Sequence, residues 1–388
     1  MYYISSRLHA IKHENNLVLL KNNQNNLKCW FLKDTWYYLR EFLGKEFPDF
    51  LLDKLDSNEI KKLMKINGVF RELDKPIQIL NPITMFGDTV NVSNHSVDGS
   101  IILVGYDSGN NISLGSRKGP DVIRRLSEAY ETSLNSNLNG IEGWLVNDLW
   151  NSKYKLLNGT NLNSFYIDDK LTEKNFLELL ARNIAQNKEV SDKFWMIGGD
   201  HSITYGGIKS LINTGNTNIT LVYFDAHVDA GNNKEFIDNS NFIARISEFD
   251  EVKNIFQVGR RGVLSLSNSS FNINKIKYVN SVKEIASSVF KNTIVYCSID
   301  LDYLDFSIAP GVSTPVPKGN TLEKLEEELY ELNKITNIYC GDITEYNPDK
   351  DVGFITGQIV LRLLLICLGL CLRKYEESRE EICAEFLE

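Results

Sequence analysis

Short, fully apolar runs alternate along this chain with polar breaks, and four of the runs end in similar chemistry. Residues 218–224 are β-branched and aromatic, predict a buried strand, and stop at Asp225-Ala226-His227-Val228-Asp229. Residues 194–197 run into Gly198-Gly199-Asp200-His201-Ser202. Residues 293–298 run into Ile299-Asp300-Leu301-Asp302-Tyr303-Leu304-Asp305, and residues 337–343 into Thr344-Glu345-Tyr346-Asn347-Pro348. Residues 101–106 predict the first strand of this region, and a helix opens over 120–126. Amphipathic spacing predicts helices over 171–185 and 322–335, the latter opened by Thr321 with Glu323 and Glu326 in its first turns. Residues 133–163 are polar and asparagine-rich and read as loops.

The first ninety residues follow a different pattern. Residues 16–20 and 29–32 predict two strands around a polar turn at 22–26. Asp34 is placed to cap a helix over 35–43, with Gly44 as its stop and Trp36, Tyr37, Leu39, Phe42 and Leu43 as its apolar stripe. Two amphipathic segments at 50–55 and 58–66 lead to a short strand at Val69 and Phe70. The order β-β-α-α-α-β predicts a small winged-helix-like α+β domain over 1–90. A proline- and glycine-containing break over 76–100 separates it from the rest, with the linker proper at 91–100. The catalytic domain is expected over 101–373. The charged tail, 374–388, is expected to form a helix docking on a neighbour, hence a homo-oligomer.

In an open parallel α/β sheet, ligands bind at the C-terminal edges of the strands. If the four strands share one sheet, His201, Asp225, His227, Asp229, Asp300, Asp302 and Glu345 meet on one rim. Carboxylates crowded in this way repel one another without cations. Four aspartates and two neutral imidazoles carry about −4, which two divalent ions balance, and mixed oxygen and imidazole donors suit Mn²⁺.

These motifs resemble the ureohydrolase family of arginases, agmatinases and formiminoglutamases. Gly115-Ser116-Arg117-Lys118-Gly119-Pro120 is similar to a further element of that family. The resemblance spans roughly residues 100–373 and implies an arginase-like three-layer fold with a mostly parallel central sheet. It implies two Mn²⁺ held by His201, Asp225, His227, Asp229, Asp300 and Asp302, with Asp225 and Asp300 as bridges. It also implies a catalytic Glu345, whose carboxylate orients a guanidinium through paired charge-assisted hydrogen bonds. Asp200 reads as orienting its neighbour or satisfying backbone groups in the Gly198-Gly199 turn, Asp305 as a residue behind the metal ligands or a cap of the loop toward Ala309-Pro310-Gly311, and Arg117 as a structural or rim residue.

Two departures stand out. Asp305 is followed by Phe306, where the family commonly has Asp-Pro. Arginases and agmatinases also carry a proton-shuttling histidine about ten residues beyond the Asp-x-His-x-Asp motif. Residues 236–242 contain none, so Asp238 is the candidate catalytic substitute. The formiminoglutamase branch tends to lack this histidine too.

The N-terminal pattern is similar to the RiPP recognition element, which binds leader peptides of ribosomally made, modified peptides. Together the two resemblances imply a peptide arginase that converts arginine side chains of a leader-bearing precursor peptide to ornithine and urea. A small-molecule ureohydrolase and a non-catalytic peptide-binding scaffold are the alternatives. Composition trims the partner list. A net charge of −9 argues against nucleic acid, and residues 1–90 hold 13 Lys+Arg against 11 Asp+Glu with no basic recognition helix. The apolar segment 359–372 contains Arg362 and is short for a membrane span, so a buried helix and no membrane partner are expected. Six scattered cysteines without a Cys-x-x-Cys pair read as buried thiols, and with no apolar N-terminal signal they point to a cytoplasmic protein.

Overall fold

The computed structural model describes residues 2–4, 8–22, 28–42, 46–47, 55, 57–65, 69–71, 80–83, 85, 98–107, 109–110, 113–128, 162–168, 176–231, 237–261 and 275–372. The tail 374–388, most of the loops at 133–163, the linker proper up to residue 97 and most of the segment 50–55 lie outside them. The chain divides into two compact units, one of residues 1–78 with 168–179, the other of residues 79–167 with 180–388.

In the smaller unit, β1 (Tyr2–Ile4), β5 (Glu46–Phe47) and β6 (Val69–Arg71) form one antiparallel sheet in the order β5-β1-β6. A second is β2 (Leu8–Glu14), β3 (Leu17–Asn22) and β4 (Lys28–Leu32), in that order. The sequence pattern missed β2 because Leu8-His9-Ala10-Ile11-Lys12-His13-Glu14 lacks a clean alternation and its last four residues are exposed. Its hairpin turns at Asn15, where φ is +47°, a conformation that asparagine tolerates.

The expected helix begins earlier, as α1 (Lys33–Leu39), and continues as a 3-10 turn over Arg40–Phe42. Asp34 therefore lies in its first turn rather than at its cap, and the cap residue Leu32 has no capping side chain of its own. Glu59, buried on α2 (Ser57–Lys65), supplies that function from a distance. It accepts from Leu32 N at 3.1 Å and from the Thr35 hydroxyl. Val18, Leu20, Phe31, Trp36, Leu39 and Leu63 pack beneath these elements.

The larger unit is built on nine strands among the described residues, in the order β13-β12-β11-β14-β15-β10-β8-β9-β7. They are β7 (Asn81–Ile83), β8 (Gly99–Gly105), β9 (Leu162–Asp168), β10 (Phe194–Gly198), β11 (Ile219–Phe224), β12 (Val252–Val258), β13 (Ile276–Val279), β14 (Ile294–Asp300) and β15 (Ile338–Thr344). From β13 to β8 every pairing is parallel; β7 runs antiparallel to β9. Thus Asn81–Ile83, inside the break read as 76–100, adds a strand to this sheet. Three residues, one of them proline, were too few to register as a strand.

Central parallel strands bury both faces, which is why β8, β10 and β11 are apolar throughout. One face, with Ile101, Leu103, Trp195, Ile197, Val222 and Phe224, shares a core with α3 (Gly119–Glu128), α7 (Leu322–Ile335) and α8 (Ile355–Leu372). Further helices are α4 (Phe176–Gln186), α5 (Ile203–Asn213) and α6 (Phe242–Ser247). The other sheet face receives α5, where Gly207 lies so close to Tyr296 that a Cβ would sit 2.1 Å from its hydroxyl. Helix, sheet and helix make three layers.

Helix α8 is long and apolar enough to cross a membrane by length and composition. Most of it is packed in the core instead, and Arg362 is matched by Glu326 on α7 through a two-pronged contact, with Nη2 to Oε2 at 3.0 Å.

Candidate metal centre

The four motif-bearing strands are neighbours, in the order β11-β14-β15-β10, and all parallel. Their C-terminal ends therefore share one rim. Register aligns Phe224 with Ile299, Asp300 with Thr344 and Ile197 with Ile343. The turn after β10 needs Gly199, because a Cβ there would lie 1.6 Å from the Tyr106 carbonyl oxygen. That approach lets Asp200 N donate to the same oxygen at 2.8 Å and sets His201 on the rim.

The two-residue spacing of the motifs has a local cause. An aspartate readily accepts from the backbone N–H two residues on. Asp225 Oδ1 accepts from His227 N at 2.5 Å, and Asp300 Oδ1 from Asp302 N at 2.8 Å. Asp302 Oδ1 accepts from Ala226 N at 3.0 Å, tying the two motifs together. Each of these carboxylates spends one oxygen on the backbone and presents the other.

The presented atoms form two groups. His201 Nδ1 faces Asp225 Oδ2 at 3.1 Å, Asp300 Oδ2 at 3.2 Å and Asp229 Oδ2 at 3.4 Å. His227 Nδ1 faces Asp302 Oδ2 at 2.6 Å and Asp225 Oδ1 at 3.8 Å. Asp225 belongs to both groups and so stands where a bridging ligand would. Asp300 approaches only the first through its free oxygen. Its other oxygen, like Asp225 Oδ1, accepts a backbone N–H, so that bond alone does not decide between contact with one ion and contact with two.

His201 Nδ1 and Asp225 Oδ2 are buried, yet neither makes a hydrogen bond. Orphaned buried polar atoms are costly, and two facing each other across 3.1 Å mark a place for a cation. The protonation energetics agree. Burial pushes Asp225 well above the usual carboxylate range, with Asp229, Asp302 and Asp300 adding to the effect. Burial and Asp302 raise Asp300 to about 6. Burial disfavours charged His227, but Asp302 overcomes it and raises the imidazole to about 9. The donor set, buried carboxylates and imidazoles in one cluster, fits divalent ions.

Glu345 follows β15 with φ of +66°, and Asp229 has φ of +51°. Left-handed backbone at non-glycine residues costs about 1–3 kcal/mol and clusters at functional sites. Here it turns Glu345 back under the rim. Its Oε1 accepts from His201 N at 3.1 Å and Asn239 Nδ2 at 3.5 Å, and Oε2 from Asn110 Nδ2 at 3.3 Å. A cleft of about 100 Å³ opens between them, lined by His227, Asp229, Asn239, Ser240, Asp300, Asp302, Thr314 and Glu345.

Asp238 takes no part in that lining. It is buried, its Oδ1 accepts from Ser240 N at 3.0 Å and Ser240 Oγ at 2.7 Å, and its N–H donates to Asn241 Oδ1. This is the turn leading into α6; these contacts support a loop-forming role, and substitution puts the proton-shuttle role expected of Asp238 to the test. Asp238→Asn keeps the acceptor oxygen and is expected to retain turnover within about threefold, while Asp238→Ala loses roughly 1 kcal/mol of stability. A urea-release assay and thermal unfolding of both variants check this. A drop of a hundredfold in stable Asp238→Asn would restore the shuttle.

The same aspartate turn explains two residues read as structural. Asp200 accepts from Gly109 N at 2.7 Å and Ser202 N at 3.0 Å, and burial raises it to about 7. Asp305 accepts from Ser307 N and from Gly319 N. Asn110, Asn239, Ser298 and Asp342 were missed. The visible signal was Asp342, a carboxylate inside the apolar run of β15.

An α/β fold carrying such a rim places the chain among metal-dependent amidino hydrolases, which act on C–N bonds. The arginase family model matches residues 97–369, and the chain belongs to the arginase family, whose members use a binuclear metal cluster. It is 28% identical over 221 residues to an arginase of Entamoeba histolytica, covering 49% of this chain and 74% of the relative. It is 24% identical over 326 residues to a formimidoylglutamase of Aliivibrio fischeri, covering 71% and 87%. The structure of proclavaminate amidino hydrolase from Streptomyces clavuligerus shares the fold, with a TM-score of 0.59, 20% identity and coverage of 76% of this chain and 99% of that one.

Proposed function

We propose that this chain is a two-manganese guanidino hydrolase that converts arginine side chains within a peptide to ornithine, releasing urea. The observation that carries the two-metal reading is Asp225, shared by two donor groups and facing the orphaned His201 Nδ1. The first ion would be held by His201, Asp225, Asp229 and Asp300, the second by His227, Asp225 and Asp302. Two bound divalent ions lower the pKa of water and offset charge that develops on the attacked carbon's substituents. The chain's own contribution is to orient the substrate. Glu345 offers two oxygens to a planar guanidinium, and Asn110 and Asn239 hold that carboxylate in place.

The cleft lining, with four carboxylates and, among the described residues, no lysine or arginine, suits a cationic guanidinium whether a peptide or a small molecule carries it; the peptide reading is supported by the smaller unit. The smaller unit would hold the precursor's leader, adding a strand to an outer edge of the β2-β3-β4 sheet. Tethering raises the local concentration of the arginines to be processed. Small-molecule hydrolysis is the second reading, favoured by relatives named for arginine and formimidoylglutamate chemistry.

Urea and formamide release by the Mn²⁺-loaded full chain decides between them. The substrates are an N-acetylated, C-amidated arginine peptide, free arginine, agmatine and formiminoglutamate. A higher kcat/KM for the blocked peptide is the expected result. Turnover of free small molecules alone would overturn the peptide reading.

A further inference from the structure

Below the first donor group, buried polar side chains from three elements form a chain. His201 Nε2 lies 2.8 Å from Ser298 Oγ, which donates to Asp342 Oδ1 at 2.6 Å. Tyr296 OH donates to Asp342 Oδ2 at 2.6 Å, and Thr204 Oγ1 lies 3.2 Å from Ser298 Oγ. His201, Thr204, Tyr296, Ser298 and Asp342 are all fully buried. Ser298 and Tyr296 come from β14, Asp342 from β15 and Thr204 from α5.

Burial raises the pKa of Asp342, but two hydroxyl donors favour its ionised form, and proton counting from that carboxylate gives the chain its direction. A hydroxyl has one proton, and an ionised carboxylate only accepts. With Ser298 donating to Asp342, the serine oxygen has only lone pairs left for the imidazole. His201 must then carry its hydrogen on Nε2. The lone pair of the neutral ring is left on Nδ1, the atom that faces Asp225, Asp229 and Asp300.

We propose that Ser298 and Asp342 are positioning residues that fix the tautomer and ring orientation of His201 and thereby set the affinity of the first metal position. A carboxylate behind a ligating histidine raises the basicity of the ligand and holds its plane, and losing such a partner costs about 10–100-fold in metal affinity. Here the serine hydroxyl stands between the two and transmits the effect. Among the described residues the second position has no such support: Gln257 Nε2 donates to the carbonyl oxygens of Asp225 and His227, not to the His227 ring. The coupling is therefore selective for one of the two positions. A purely structural polar layer between β14, β15 and α5 would not be.

The inference rests on the two-metal reading, and one experiment separates their failures. The metal-stripped full chain is titrated with Mn²⁺ by calorimetry, with electron paramagnetic resonance following the filling of each position. Wild type binding fewer than two ions would defeat the two-metal reading itself, whatever the variants do. Given two ions, Ser298→Ala is expected to weaken the first position about 10–100-fold and leave the second within about twofold, so that one equivalent gives an uncoupled manganese spectrum. Asp342→Asn, which keeps the shape, should weaken the same position by about tenfold. In the Zn²⁺-loaded wild type, ¹⁵N spectra of the histidine rings, only five in the chain, should place the His201 proton on Nε2. Unchanged affinity, equal weakening of both positions, or a proton on Nδ1 would each overturn the proposal. If Ser298→Ala does not fold, the Asp342→Asn titration and the tautomer decide.

Discussion

Asp225→Ala is expected to abolish binuclear metal binding and to lower urea release by more than ~10³-fold, beyond the 10–100-fold typical of partners outside the ligand set. Asp225 is the residue common to both donor groups, so its loss removes a ligand from each. The variant should nonetheless fold. In the metal-free chain this carboxylate sits fully buried among Asp229, Asp302 and Asp300, and burial together with those neighbours raises its pKa. Removing it ends the cost of burying that carboxyl group but leaves the His227 N–H without its acceptor, so the metal-stripped variant should unfold close to the temperature of metal-stripped wild type. Metal stoichiometry by mass spectrometry, read beside thermal unfolding in chelator, checks both halves. Two ions bound to Asp225→Ala would refute the ligand assignment. Asp300→Ala then tests the second bridge: losing only the first ion fits the geometry, whereas losing both restores the bridging role read from the sequence.

The rim was legible because each of its parts has a local cause. Parallel strands buried on both faces must be continuous apolar runs, and an aspartate turning the chain at the strand end spends one oxygen on the N–H two residues later. Asp-x-His and Asp-x-Asp therefore announce both the strand end and a free oxygen. The same turn recurs at Asp238. Its carboxylate makes an identical bond to Ser240 N, and spacing alone does not say which way the remaining oxygen points.

Elements with mixed polarity were not legible. Strand β2 hid because half of it is exposed, and β7 because an edge strand needs only three residues. The supports of the site were hidden for another reason. Asn110 and Asn239 reach Glu345 across 235 and 106 positions of sequence, and Ser298 reaches Asp342 across 44. Contacts of that separation follow from the order of strands in the sheet, which hydrophobic pattern does not encode.

Glu345→Gln is expected to keep both metal ions and lose turnover by about 10²–10³-fold, the scale of removing one preorganised electrostatic partner. Glu345 belongs to neither donor group, so metal content has no reason to change. Its place is fixed by a left-handed backbone, by His201 N and Asn239 on one oxygen and by Asn110 on the other. Burial raises its pKa well above the glutamate norm, with Asp300 and Asp200 contributing. A guanidinium entering that cleft would restore the ionised form and receive two charge-assisted hydrogen bonds. Glutamine offers one acceptor oxygen and an amide whose hydrogens oppose those of the guanidinium and of Asn110. The loss should therefore appear in KM as well as in kcat. A matched change of Asp349, an exposed carboxylate paired with Lys118, should leave both constants unchanged. Loss of a metal ion from Glu345→Gln would instead move this residue into the ligand set, and full turnover would remove it from the reaction.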